Sequence, residues 1–317
     1  MRVTLGMSTG ETLQNLNNQQ VQIDTLSQEI SSGVKLTAPS DDPETWSQAM
    51  NTNQNIREYN SFVSNINFGT GWGQATEAAL NQLSSLVTQA KSVAESANSA
   101  AGSAESTTLA SQVGGILNQA LNLANTQYNG QYIFSGTATA TQPYTIDTST
   151  GAVTYSGNSD YIKVKTATGI SSDITPPTSS AAGGGMTSVN LTGQEVLGGS
   201  ASSGSGSNIL NDIWNLQQAL ASGNTSQVSA SITTLGNDFN QINTQLASVG
   251  TTLDSFTSQQ TALSTVITNA QGVLSNYQDT DVAAATISMS KAQAAYQAAL
   301  EVTSTLDNMN LPSILTG

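Results

Sequence analysis

No cysteine and no histidine occur anywhere in this sequence. The first absence rules out a disulfide framework and any thiolate metal site. The second removes the commonest general base, the commonest metal ligand and every Ser-His or Cys-His nucleophile pair. Charge is also scarce, at 9% of residues against about 25% in an ordinary soluble protein. There are 21 acids, 7 bases and a net charge of −14. So few Lys and Arg cannot neutralise a phosphate backbone or an anionic bilayer, so neither nucleic acid nor membrane is an expected partner. Lys163 and Lys165 are the nearest approach to a basic cluster. No apolar run approaches the length of a membrane span, and Met1-Arg2-Val3-Thr4-Leu5-Gly6 lacks the continuous apolar segment of a cleavable signal peptide. The reading is a cytosolic chain, or one exported by a route without such a signal.

What is present is helical periodicity at both ends. From Val228 to Tyr277 apolar residues alternate by three and four: Val228, Ile232, Leu235, Phe239, Ile242, Leu246, Val249, Leu253, Phe256, then Leu263, Ile267, Ala270, Leu274 and Tyr277, interrupted at Gln260. Sustained over about seven heptads, that spacing specifies a helix with a narrow apolar seam, which needs a partner helix. The N-terminal half offers two stripes, one of Leu13, Leu16, Ile23, Leu26 and Ile30 and one of Trp46, Met50, Ile56, Val63 and Ile66. The expected fold is mainly α with a β insertion. Both chain ends build an elongated helical coiled-coil rod, and a small antiparallel β domain lies between them in sequence.

The first helix spans 8–32 and stops at Gly33, a C-terminal cap residue. Pro39 keeps the following linker extended. Ser40, Asp41, Asp42 and Pro43 read as the cap of the second helix, with Glu44 favoured by the dipole. That helix is expected to end near Asn67, broken by Gly69, Gly71 and Gly73. Further helices are read over 74–104 and from Leu109 to about Tyr128. After Gly130 the period becomes two, with pairs Tyr132/Phe134, Tyr144/Ile146, Val153/Tyr155 and Ile162/Val164. Residues 176–188 and the Gly/Ser stretch 198–206 read as loop or linker by composition. Helix returns from Asn208 to Leu220. A last helix runs from about Asp281 to Asn308, and Pro312 is expected to end it.

The candidates for chemistry are few. Asp41/Asp42 and Asp279/Asp281 read as caps and turn formers, the latter lacking any glycine-containing calcium loop. The Gly183-Gly184-Gly185 run has no phosphate-loop spacing. Asn190 and Asn224 head short Asn-x-Ser/Thr sequences expected by chance in so Asn- and Thr-rich a chain. The outermost stripes are thin: about five apolar residues over seven turns in helix one, and a largely alanine partner. Ordering some 25 residues costs roughly 1–2 kcal/mol each, and a few half-exposed Leu and Ile do not offset it at about 1.5–3 kcal/mol apiece when fully buried. These helices are expected to order only where neighbouring copies cover them.

Several motifs carry a family likeness. Ser32-Gly33-Val34-Lys35-Leu36 followed by Pro39-Ser40-Asp41-Asp42-Pro43 and Ser47-Gln48-Ala49 resembles the N-terminal region of the flagellin superfamily, in the form of its hook-filament junction branch. Leu121-Asn122-Leu123-Ala124-Asn125 leading to Asn129-Gly130-Gln131-Tyr132-Ile133-Phe134-Ser135-Gly136-Thr137 resembles that branch's passage from helix to β region. Asp279 to Leu300, with Ile287-Ser288-Met289-Ser290-Lys291 and Gln293, is similar to the superfamily's terminal helix.

The resemblance implies three parts: a terminal coiled-coil polymerisation domain (1–40 and 281–317), a helical rod (41–129 and 208–280) and a central β domain with Gly/Ser-rich linkers (130–207). It implies a non-enzymatic adaptor without cofactor or metal, placed outside the cell in the flagellum and exported unfolded through the flagellar export apparatus with the help of an export chaperone. The implied partners are further copies of itself, the preceding hook-associated junction protein and flagellin. On this reading Leu13, Leu16, Ile23, Leu26 and Ile30 with Ala292, Tyr296, Ala299, Val302 and Leu306 form the polymerising surface. The alternatives are a filament flagellin, or a secreted binding protein or enzyme whose β region offers Asp147, Asp160, Asp173, Lys163, Lys165 and Glu195.

Overall fold

The computed structural model describes residues 5–99, 103–147, 149–167, 186–200 and 203–315. Seven helices are assigned among them: α1 (Leu5–Ser32), α2 (Pro43–Ser99), α3 (Ser103–Ala124), α4 (Gly193–Leu197), α5 (Ile209–Ala221), α6 (Thr225–Gln278) and α7 (Val282–Leu315). The strands form four antiparallel pairs: β1 (Gln127–Tyr128) with β2 (Gln131–Tyr132), β3 (Tyr144–Ile146) with β4 (Val153–Tyr155), β5 (Lys163–Lys165) with β6 (Met186–Ser188), and β7 (Gly198–Ser200) with β8 (Ser203–Asn208). The chain divides into two compact units, 1–57 with 266–317 and 58–265. Those cuts fall inside α2 and α6.

In the 58–265 unit one core joins Trp72, Leu80, Leu83 and Val87 of α2, Val113 and Ile116 of α3, Ile213 and Leu216 of α5, and Leu235, Ile242 and Val249 of α6. The β segments are fastened to the helices by specific groups. The Asn125 side chain, just past α3, accepts the Tyr144 N–H at 3.0 Å and donates to the Tyr144 carbonyl at 2.9 Å. It thus stands in for a neighbouring strand at the edge of β3. Lys165 of β5 pairs with Glu58 at 2.9 Å and lies over the Phe62 ring, 5.3 Å from its centroid.

Several expectations are corrected. Gly69, Gly71 and Gly73 do not break a helix: α2 runs through them without interruption. Their role is close approach. A Cβ on Gly69 would lie 2.8 Å from the Phe256 ring and 2.9 Å from Val189 Cγ1, one on Gly73 would lie 2.8 Å from Leu253, and one on Gly71 would overlap the Tyr128 hydroxyl. Gly236, inside α6, faces open space instead. The two kinds of helical glycine should respond oppositely to alanine. Gly236→Ala is expected to stabilise by about 0.5–1 kcal/mol, whereas Gly69→Ala should destabilise, because Phe256 and Val189 are buried and must move. Urea midpoints of the two variants on opposite sides of the parent would verify this.

The Gly/Ser stretch 198–206 is not wholly linker, since β7 and β8 pair through it, and Met186–Ser188 pairs with β5. Backbone hydrogen bonding, which composition does not report, decides both. Gly183–Gly185 and Asp173 lie outside the described residues. Pro312 sits inside α7, within one turn of its end, where the intrahelical bond it removes is its own to the Asn308 carbonyl. On α6 the buried line is Val228, Leu235, Ile242, Val249 and Phe256, joined by Ser231 and Asp238. Phe239, expected in the seam, is 37% exposed; the buried face leans one residue toward the N-terminal side of the heptad, which puts Asp238 inside and Phe239 at its rim.

Several described hydroxyls along α6 turn back on their own helix. Thr234, Thr244, Thr251, Thr257, Thr261 and Thr265 each donate to the carbonyl four residues earlier, at 2.7–3.3 Å.

Candidate assembly interface

The 1–57 and 266–317 unit holds the terminal helices and the linkers that join them to α2 and α6. Asp41 accepts the Ala38 and Thr37 amides at 2.8 and 3.0 Å and the Thr37 hydroxyl at 3.1 Å. Those bonds, with the Ser40 hydroxyl beside them, hold its carboxyl below the usual carboxylate range. Asp42 accepts the Thr45 hydroxyl at 2.6 Å and the Glu44 and Thr45 amides at 3.1 Å, and its pKa is likewise lowered, the Thr45 hydroxyl contributing most. Pro43 is the first residue of α2, where a missing N–H costs nothing. Asp281 accepts the Ala284 amide at 3.0 Å at the start of α7.

The two linkers meet. Lys35 N–H donates to the Gln278 carbonyl at 2.8 Å, Thr280 N–H donates to the Gly33 carbonyl at 2.9 Å, and Val34 lies opposite Asp279 as an antiparallel bridge. The Lys35 ammonium adds a bond to the Asn276 carbonyl at 3.1 Å. Beyond the linkers α1 and α7 pack on one another. Both are helical in the single chain, against the expectation that they order only under neighbouring copies, because each covers one side of the other.

The residues proposed for polymerisation divide between two faces. Leu16, 9% exposed, and Ala292, 8% exposed, are buried, and Ile23, Leu26, Ile30, Tyr296 and Ala299 are half-buried. Leu13 and Val302 stand open, at 60% and 56%. The side chain of Leu306 lies outside the described ones. Sequence reasoning passed over Val21, Ile287 and Leu300, which are exposed on the same helices; they fall off the three-four stripe, and large apolar residues off the stripe were the available signal.

Asp147, Glu195 and Lys165 of the β region are engaged in local structure. Asp147 accepts the Ser149 amide at 2.8 Å in a turn. Glu195 closes a capping box with Thr192 on α4 and accepts the Tyr161 hydroxyl; Thr192-Gly193-Gln194-Glu195 has the spacing that announces this helix in sequence. Asn190 is buried and accepts the Ile162 amide at 2.6 Å. Among the described residues no group of three or more Asp and Glu is placed to hold a metal, and no helix is long and apolar enough to cross a membrane.

Long helices from both chain ends, paired with each other, together with a helical unit carrying small β-hairpins, define a mainly helical protein built from its two chain ends. Residues 4–139 match the bacterial flagellin N-terminal helical region and residues 232–315 the bacterial flagellin C-terminal helical region. The chain belongs to the flagellin superfamily. It is 29% identical over 153 residues to flagellar hook-associated protein 3 of Salmonella typhimurium, covering 48% of each chain. It is 28% identical over 146 residues to the protein of that name from Escherichia coli, covering 45% of this chain and 46% of that one. The match thus spans about half the length of these relatives. The fold is shared with a putative flagellar hook-associated protein from Vibrio parahaemolyticus (TM-score 0.63, 20% identity, 75% of this chain and all of that one). It is also shared with Bacillus cereus FlgL (TM-score 0.55, 18% identity, 71% and 98%).

Proposed function

We propose that this chain is a non-enzymatic structural adaptor that joins the bacterial flagellar hook to the flagellin filament by helical self-assembly. The observation that carries the proposal is the set of large apolar side chains left open on α1 and α7, Leu13, Val21, Ile287, Leu300 and Val302, in a protein with little charge to repel a neighbour. The two relatives named as hook-associated proteins support the junction role. In this mechanism Leu16, Ala292 and their half-buried neighbours hold the terminal pair together inside one copy. The open residues meet the next copy, the hook-associated protein below and the first flagellin layer above. The three-part division into terminal coiled coil, rod and central β domain is part of the same proposal, as are export through the flagellar apparatus without a cleaved signal peptide and handling by an export chaperone.

Deleting residues 282–317 tests it. The shortened chain is expected to remain soluble and mostly helical, because the 58–265 unit keeps its own core, and to fail to join filament to hook in a strain carrying only that version. Filaments attached at the parental frequency would refute the role given to α7. On filament seeds the full chain should stop after a thin layer; continuous elongation would mark a filament subunit instead.

A further inference from the structure

The paired linkers form a conformational device: we propose that Gly33–Lys35 and Gln278–Thr280 make a clasp that causes α1 and α7 to order and disorder together. The proposal does not rest on the flagellar reading. Lys35 and Asn276 are 241 residues apart in the chain, so nothing local in sequence holds the end of α1 to the start of α7. The clasp does so with two backbone hydrogen bonds and the Lys35 ammonium. Few of the described side chains anchor either helix: among them Leu16 is the buried apolar one of α1, and Ala285 and Ala292 are those of α7. An isolated helix with so little to bury is marginal in water, so each depends on the other. Closing the clasp sets Ser32, the last residue of α1, near Val282, the first of α7, and replaces a closure across the whole molecule with one across a tight turn. With the clasp open, each helix faces the full cost of finding its partner. Disorder begun at one end of the chain therefore passes to the other.

The bonding pattern supplies the test. The Val34–Asp279 pair is flanked by the hydrogen bonds of its neighbours rather than making them. Such a non-hydrogen-bonded antiparallel pair has Cα atoms about 4.5 Å apart, inside the roughly 4.4–6.8 Å range that a disulfide spans. With no native cysteine, the full-length V34C/D279C variant carries only those two thiols. The disulfide is expected to form under mild oxidation and to slow amide exchange in both α1 and α7 by about tenfold or more relative to its reduced form. T280P removes the donor to the Gly33 carbonyl and should speed exchange in α1, although the substitution lies beside α7. Exchange within 58–265 reports that the variants are folded and should not change. Failure of the thiols to pair would overturn the geometry. Protection that changes in α7 alone, or in neither helix, would overturn the coupling.

Discussion

Replacing Gly136 with alanine is expected to cost about 3 kcal/mol of stability, at the upper end of what point substitutions ordinarily cost. Gly136 has φ +68°, where a Cβ costs roughly 1–2 kcal/mol by itself. The added carbon would also overlap the Asn158 backbone carbonyl and side chain. Neither can retreat cheaply. Asn158 N–H donates to the Ser135 carbonyl at 3.1 Å, its amide Nδ2 donates to the Thr137 hydroxyl at 2.8 Å, and its Oδ1 accepts the Thr137 N–H at 2.8 Å. The Tyr155 hydroxyl pins the same carbonyl at 2.9 Å. Urea unfolding followed by far-UV circular dichroism measures the cost; a Gly136→Ala chain within about 0.5 kcal/mol of the parent, the range of an uninvolved surface change, would show that this knot is loose.

Asp238→Asn should change sign with pH. Asp238 is 6% exposed and one carboxylate oxygen, Oδ2, is buried with no hydrogen-bond partner. Burial first, and the charge of Asp212 second, push its pKa up to about 7, against about 3.9 in an unfolded chain. Below about pH 4 both states hold the proton and the group has no effect. From about pH 4 to 7 the unfolded chain gives up the proton while the folded chain keeps it, so stability falls with rising pH, by as much as ~4 kcal/mol in total, and levels off above 7. Asparagine cannot ionise, but its amide is desolvated at a cost of about 1–2 kcal/mol. The variant should therefore be more stable than the parent at pH 8, by about 2 kcal/mol, and less stable at pH 4. The lowered carboxyls of Asp41 and Asp42 lose their contribution as pH falls, but equally in both proteins, so the difference between the two melting curves isolates Asp238. A difference independent of pH would mean that Asp238 is charged in the fold.

The parts of this fold legible in sequence are those where one local rule decides. Ser40-Asp41-Asp42-Pro43 announces a helix start because capping needs only a few adjacent residues. The five buried residues from Val228 to Phe256 are legible because they repeat every seven. What was not legible depends on a partner distant in sequence. Gly69, Gly71 and Gly73 read as breakers until Phe256, Tyr128 and Leu253 are seen against them. Asp238 and Phe239 exchange inside for rim because the direction in which α6 leans is set by its neighbours, not by its own letters. Of the proposed interface, sequence marked the apolar stripes on both terminal helices but not how they divide between each other and the outside. Leu16 and Leu13 carry the same side chain three residues apart and have opposite exposures.

The inward-turned hydroxyls of α6 give its letters a second meaning. A threonine that donates to its own helix turns its hydroxyl toward the backbone, so its methyl is left for water. The threonines from Thr234 to Thr265 are polar by composition, yet these six have already spent their donors within the helix. Each such hydroxyl offers water or a neighbour only its acceptor lone pairs and no charge, so a contact made through these threonines responds only slightly to salt. The chain stays wettable without the ionic coat that most proteins use to remain apart.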